Sequence, residues 1–239
     1  VSRQLPPQPP RGADAHAGTV VRNFLTLGAG ELLSRVIGFG GTIWIARQLD
    51  ASGYGVIGLG FAVLLYFGAV GDLGMEHLGP REVAERRTPL PVLAGTMVLS
   101  RLAASATIAL LMAAVGLLAV ARPEGPVLAL FGLSLLPLGA STRWVHIGIE
   151  NPAAVSLSRL AAEALRVLLL LALVHGPADL YRAPLAHFAG ELLAATWQLV
   201  ALRRKGVRLA WRIDRDVATD MLRRGAPLLL TNLLSLVIY

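Results

Sequence analysis

The sequence predicts an all-α fold, a polytopic membrane helix bundle of six transmembrane helices plus the start of a seventh. Three observations predict it. Of the 239 residues 55% are hydrophobic and only 15% charged, and the mean hydropathy is +0.62, outside the balance of water-soluble domains. Six apolar runs reach the roughly 20 residues needed to cross about 30 Å of hydrocarbon. Lys and Arg gather beyond the ends of these runs, far more on one side than on the other, as the positive-inside bias of membrane proteins requires. Leu-, Ala- and Val-rich runs of this length lack the alternation of barrel strands, so the spans are helices, which satisfy their own backbone groups in lipid.

The first stretch, 1–19, is proline-rich and polar, with no apolar core followed by a cleavage site. It reads as a disordered cytoplasmic tail rather than a secretory signal. The spans follow at about 24–46, 56–79, 92–120, 126–148, 153–175 and 183–203, and a seventh begins near 225. Proline and glycine punctuate the joins, as in "DASGYG" at 50–55, "RTPLP" at 87–91, "ARPEGP" at 121–126, "ENP" at 150–152 and "HGPAD" at 175–179. The chain thus divides into the tail 1–19, a six-helix lobe 20–205, a linker 206–224 and the start of a second lobe at 225–239.

Arg3, Arg11, Arg22, Arg81, Arg86, Arg87 and the eight Lys and Arg between Arg203 and Arg224 fall on one side, and Arg47, Arg122 and Arg182 on the other. Fourteen against three puts the N-terminus and the linker in the cytoplasm. In the linker, Leu209, Ile213, Val217 and Met221 recur at helical spacing among charges. That pattern predicts a helix lying in the inner interface with Trp211 at headgroup level, and an ordinary basic anchor on an anionic leaflet fits the same residues.

"GELLSRVI" at 30–37 and "TNLLSLVI" at 231–238 share Leu-Leu-Ser and Val-Ile. Six spans between them return the chain to the same side, so the two copies would run parallel, as in transporters built from two bundles related by an axis along the membrane normal. The expectation is one complete six-helix bundle with the first turns of a second, and hence a fragment or a truncated product.

Charges inside the spans are the candidate functional groups. Gly28, Glu31, Arg35, Gly38, Thr42 and Ala46 follow three- and four-residue steps, which predicts a polar face of the first helix toward protein or water and Leu33, Ile37 and Trp44 toward lipid. Arg35 lies roughly 17 Å along a helix about 33 Å long, near the midplane. Glu31 and Arg35 are an i,i+4 pair in the favourable order, so they either neutralise each other or line a polar pathway. In the fifth span Arg159, Glu163 and Arg166 share a face, two cations to one acid; with Arg35 and Arg101 of the third span they predict a cationic interior. Arg101 lies near the cytoplasmic end, where it could snorkel. Planar guanidinium donors suit phosphate or diphosphate oxygens. Asp72 and Glu76 in the second span and Glu191 in the sixth are candidates for ion or proton coupling, with Asp72 and Glu76 also readable as helix-end charges. His187, one turn before Glu191, reads as a relay or, better, as one side of an interhelical hydrogen bond. Gly68, Gly71 and Gly74 read as packing positions.

Other classes are excluded by what the chain lacks. Its basic residues sit at span ends rather than in a stripe with aromatics, which argues against nucleic acid. With no cysteine there is no disulfide, iron–sulfur cluster or thiolate zinc site. No P-loop, GxSxG elbow or HExxH pair is present, so no enzyme chemistry, cofactor or metal is indicated.

"SRVIGFGGTIWIARQLDASGYGVIGLGFAVLLYF" (34–67) and "DLGMEHLGPREVAER" (72–86) resemble the opening two helices of bacterial polysaccharide-biosynthesis flippases. These belong to the multidrug/oligosaccharidyl-lipid/polysaccharide exporter superfamily, which includes the lipid II flippases. "RWVHIGIENPAAVSLSRLAAEALRVLLLLALV" (143–174) is similar to that family's fourth-to-fifth helix passage, with Trp144, Gly148 and Glu150 in order, and "LRRGAPLLLTNLLSLVIY" (222–239) to its seventh-helix start. The resemblance implies two lobes of twelve to fourteen helices in all, in a bacterial inner membrane. It implies alternating-access transport of undecaprenyl-diphosphate-linked oligosaccharide through a central cationic cavity, with glycosyltransferases and a polymerase as pathway partners. Arg35, in a Ser-Arg-x-x-Gly-Phe pattern, takes the role of the first-helix cavity arginine of lipid II flippases. Glu31, Arg159, Glu163 and Arg166 correspond by location alone. A drug or cation antiporter of the same superfamily calls for an acidic cavity, and a membrane-embedded glycosyl- or acyltransferase for an acid/base constellation that is missing.

Overall fold

The computed structural model describes the backbone of residues 13–238 and the side chains of residues 25–236, among which there are ten α-helices and no strand. The expected tail lies outside the described residues at 1–12, and at 13–19 it is already helical. The first helix, α1 (Ala13–Gln48), has no proline in 36 residues and at 1.5 Å per residue is about 54 Å long, well beyond a bilayer core. Asp50 then caps α2 (Ala51–Gly71), its Oδ1 accepting from Gly53 N at 2.6 Å.

The expected span 56–79 is broken. After α2 the chain passes through the left-handed region at Leu73 (φ 56) and Gly74 (φ 77) and restarts as α3 (Met75–Glu85), with Asp72 Oδ2 accepting from Glu76 N at 2.9 Å. Prolines 89 and 91 open α4 (Leu90–Ala119). The expected span 126–148 is three pieces, α5 (Glu124–Leu133), α6 (Leu135–Ala140) and α7 (Arg143–Gly148), followed by α8 (Pro152–Leu173) and α9 (Arg182–Arg204). Buried Gln198 of α9 supports the break before α7. Its Oε1 accepts from Ser141 Oγ (2.9 Å) and Thr142 N (3.1 Å), and its Nε2 donates to Ser158 Oγ (3.1 Å). Polar backbone exposed by a break inside the bundle is thereby satisfied.

The linker differs from its expectation. Residues 205–214 are not helical. Ala210 N donates to Pro91 O at 2.9 Å and Asp214 N to Thr96 Oγ1 at 3.1 Å, which docks the segment on the start of α4 over side-chain-free Gly95. Asp214 Oδ1 accepts from Asp216 N and Val217 N, and this cap explains why helix resumes at Arg215 as α10 (Arg215–Ile238).

α1 is held chiefly by α8, α8 by α9, α4 by α5 and α6, α3 by α7, and α10 lies on α2, α3 and α4. Two apolar cores result. One joins Leu49, Leu64, Ala109, Met112, Val127, Phe131 and Leu170. The other joins Met75, Leu93, Met97, Trp144, Leu202 and Met221. On α2–α3 and again on α4 the residues between the two cores are charged, Asp72 and Arg101. Among the described residues four helical stretches have the length and apolarity to cross a membrane, 51–85, 90–119, 124–148 and 182–204. α1 and α8 have the length, 36 and 22 residues, but carry Glu31 and Arg35, and Arg159, Glu163 and Arg166, within it.

Candidate functional site

The first helix meets α8 through small residues. A Cβ on Gly30 would stand 2.5 Å from Ser156 Cβ, one on Gly41 2.9 Å from Val167 Cγ2, and one on Gly38 would overlap the Glu163 carboxylate. Ser156 Oγ also donates to Thr26 O at 2.9 Å. The packed face therefore runs Gly30, Ser34, Gly38, Gly41, Ile45, one step round from the expected stripe. Of that stripe, Gly28, Arg35, Thr42 and Ala46 are exposed. Trp44 and Ile37, expected toward lipid, are half-buried, and Trp44 Nε1 donates to Val174 O at 2.9 Å. Small side chains decide the rotation, because they admit the neighbouring backbone closest.

Arg35 stands on the flank of this contact, beside the apolar exposed face of Leu32, Val36 and Phe39. Its Nε meets Glu31 Oε1 at 3.1 Å and its side chain is 77% exposed.

The other interior arginines are each paired. Arg101 is buried: its Nη2 lies 3.0 Å from Asp72 Oδ1, and its Nη1 and Nη2 donate to the carbonyls of Ser141 (2.7 Å) and Leu138 (3.1 Å). It does not snorkel; Asp72 and Glu76 do sit at helix ends, Asp72 closing α2 and accepting from the start of α3 and Glu76 in the first turn of α3, and there each pairs with an arginine of another helix. Glu76 pairs with Arg143 at the start of α7. Arg159 Nη1 lies 3.3 Å from Glu191 Oε1 across α8 and α9. Arg166 holds Glu163 with two donors, Nε at 3.2 Å and Nη2. The charge that the fifth span alone leaves over is thus balanced by Glu191 of the next helix, and the expected net cationic interior is not formed. Five arginines, 35, 101, 143, 159 and 166, meet five carboxylates, 31, 72, 76, 191 and 163.

Arg143 escaped the sequence reading because it lies in an apolar run read as one unbroken span; "GASTR" before it, small and polar, was the available signal of a break. His187 does not bond Glu191. Its ring lies among Phe61 and Phe131, at centroid distances of 5.5 and 5.9 Å, and its buried Nδ1 has no partner among the described residues. Of the glycines read as packing positions, Gly71 faces Ser105 of α4, and Gly74 meets the backbone of Gly225 at the crossing with α10.

Of these five arginines Arg35 is the most exposed, at the edge of a charge-balanced bundle. The family model described as polysaccharide biosynthesis protein matches residues 20–239. Among curated proteins no match is found. Similar solved structures include a MOP superfamily transporter from Pyrococcus furiosus, reported for the reverse polarity of its binding pocket, with TM-score 0.71 and 16% identity over 90% of this chain and 52% of that one. A MATE structure in complex with Br-NRF has TM-score 0.71 and 15% identity over 90% of this chain and 56% of that one. At these identities the likeness is one of fold, and the chain spans about half the length of the solved transporters it matches. With the family pattern covering all but the first residues, and the broken-helix bundle matching one half of such transporters, the chain belongs to the polysaccharide biosynthesis protein family.

Proposed function

We propose that the chain forms the first lobe of a flippase that moves undecaprenyl-diphosphate-linked oligosaccharide across a bacterial inner membrane by alternating access, with the N-terminus cytoplasmic. It is a transporter rather than an enzyme, and it takes its cargo from glycosyltransferases and delivers it to a polymerase. The family match supports the polysaccharide pathway. One observation carries the substrate reading: Arg35, tethered at Nε by Glu31, is 77% exposed and its Nη groups have no partner among the described residues. Tethering fixes the guanidinium plane, and a fixed fork matches the paired oxygens of a diphosphate. Glu31 positions the fork.

Arg101, Arg159 and Arg166, with Glu163, shape the lobe and reach cargo only if their carboxylates are displaced. Coupling through Asp72, Glu76 or Glu191 has the same condition, since a proton or cation arriving there competes with an arginine.

The test replaces Arg35 in the intact transporter and measures surface polysaccharide against membrane level of the protein. Arg35→Ala should abolish export at normal abundance. Arg35→Lys should restore it only in part, because an ammonium keeps the charge and loses the fork. Normal export by Arg35→Ala would end the reading.

A further inference from the structure

Transport as proposed leaves the basic linker without a task. Six cations stand in it and at its two ends, Arg203, Arg204, Lys205, Arg208, Arg212 and Arg215, and all six are exposed. None pairs with a carboxylate among the described residues, in contrast to the arginines inside the bundle. The one acid between Arg203 and Arg215 is Asp214, and its Oδ1 is taken by the two backbone amides that open α10.

The same segment exposes apolar side chains. Leu209 is buried in the core of Met75, Leu93 and Trp144 and anchors the segment from within. Trp211 and Ile213 are instead 55% and 51% exposed, interleaved with Arg208, Arg212 and Arg215. Backbone bonds of Ala210, Arg212 and Asp214 to Pro91 and Thr96 fix that presentation.

The level of the segment follows from α4. Its 30 residues make about 45 Å of helix against about 30 Å of hydrocarbon, so roughly the first five stand outside the core when the helix is upright and centred. Pro91, Gly95 and Thr96, on which the segment docks, straddle that boundary. Trp211 and Ile213 therefore lie where headgroups meet acyl chains, the level that tryptophan favours. Guanidinium groups beside them are matched to lipid phosphates.

We infer that residues 203–215 form a docking surface for anionic phospholipid headgroups, with Trp211 and Ile213 inserted at the acyl boundary and Arg208 and Arg212 on the phosphates. The occupant is the surrounding leaflet, because the exposed charge is of one sign and the apolar pair stands at membrane level. Lipid at this surface requires only that the chain cross a membrane, whatever its cargo.

The sequence contains no cysteine, so Ile213→Cys can carry a single environment-sensitive dye on the full chain. Phospholipid spin-labelled near the headgroup should quench that dye about threefold more in nanodiscs of mixed phosphatidylglycerol and phosphatidylcholine than in phosphatidylcholine alone, since each cation near an anionic surface strengthens attachment. Arg208→Gln with Arg212→Gln should remove most of the difference with helix content unchanged. Salt at about 1 M, where charges are screened within about 3 Å, should do the same. Arg35→Ala should leave the quenching as it is, so this surface and the flippase reading fail separately. Equal quenching in the two lipids, a difference that survives both Gln changes, or a dye shielded from water yet not quenched by lipid would each overturn the inference, the last by showing the surface covered by protein.

Discussion

The Asp72–Arg101 pair allows the sharpest test of how the lobe is held together. Asp72→Asn changes almost no volume and keeps an oxygen for Glu76 N, so the perturbation is one charge. It leaves a guanidinium that is 5% exposed, bonded to two carbonyls and with Nε unpartnered. Removing one member of a buried pair destabilises a protein by about 3–5 kcal/mol, because the surviving charge loses water without compensation. For a chain of this size each kcal/mol moves the unfolding temperature by roughly 2–4 °C, so Asp72→Asn should lower it by about 6–20 °C. Removing the second charge as well, as Asp72→Asn with Arg101→Met, should recover most of the loss, since an apolar replacement of a whole pair is often neutral. The assay is thermal unfolding in detergent followed by tryptophan fluorescence, with the double-mutant cycle isolating the coupling. A fall of less than about 2 °C for the single change, or no recovery in the double, would show that water reaches the pair and that the two cores are not joined through a dry polar layer.

Two further outcomes follow from close contacts. Gly38→Leu inserts a side chain into the Glu163–Arg166 pair between α1 and α8; overpacking of this kind costs about 1–3 kcal/mol and should appear in the same unfolding assay, while Gly40→Leu, where nothing lies within 4 Å, should not. Gly95→Leu collides with the backbone of Ala210 and should lift residues 205–214 off α4, measured as faster tryptic cleavage at Arg208 and Arg212 with the helices intact.

The helical passes are legible in the sequence because lipid demands long apolar runs whatever the tertiary arrangement. Pairs within one helix are legible too: Glu31–Arg35 and Glu163–Arg166 follow from three- and four-residue spacing. The pairs Asp72–Arg101, Glu76–Arg143 and Arg159–Glu191 are not, since each depends on which helices are neighbours and how each is rotated. The same limit moved the packed face of α1 by one step, where Gly30 and Gly41 outweigh the polar residues that suggested the stripe. The break after Gly71 was hidden by continuous hydropathy, and the one before Arg143 was marked only by the short polar run "GASTR". A left-handed Leu73 and a glutamine reaching over from α9 leave no trace in local composition.

The matched set of five arginines and five carboxylates has an electrical consequence. A displaced elementary charge gains or loses about 2.3 kcal/mol in a potential of 100 mV. If the lobe rocks as a unit in the transporter proposed above, cations and anions travel together and the field does no net work on them. Voltage then grips only what rides along, a charged headgroup or a coupling ion, and reversal-potential measurements on the intact transporter would report the valence of the passenger rather than of the scaffold.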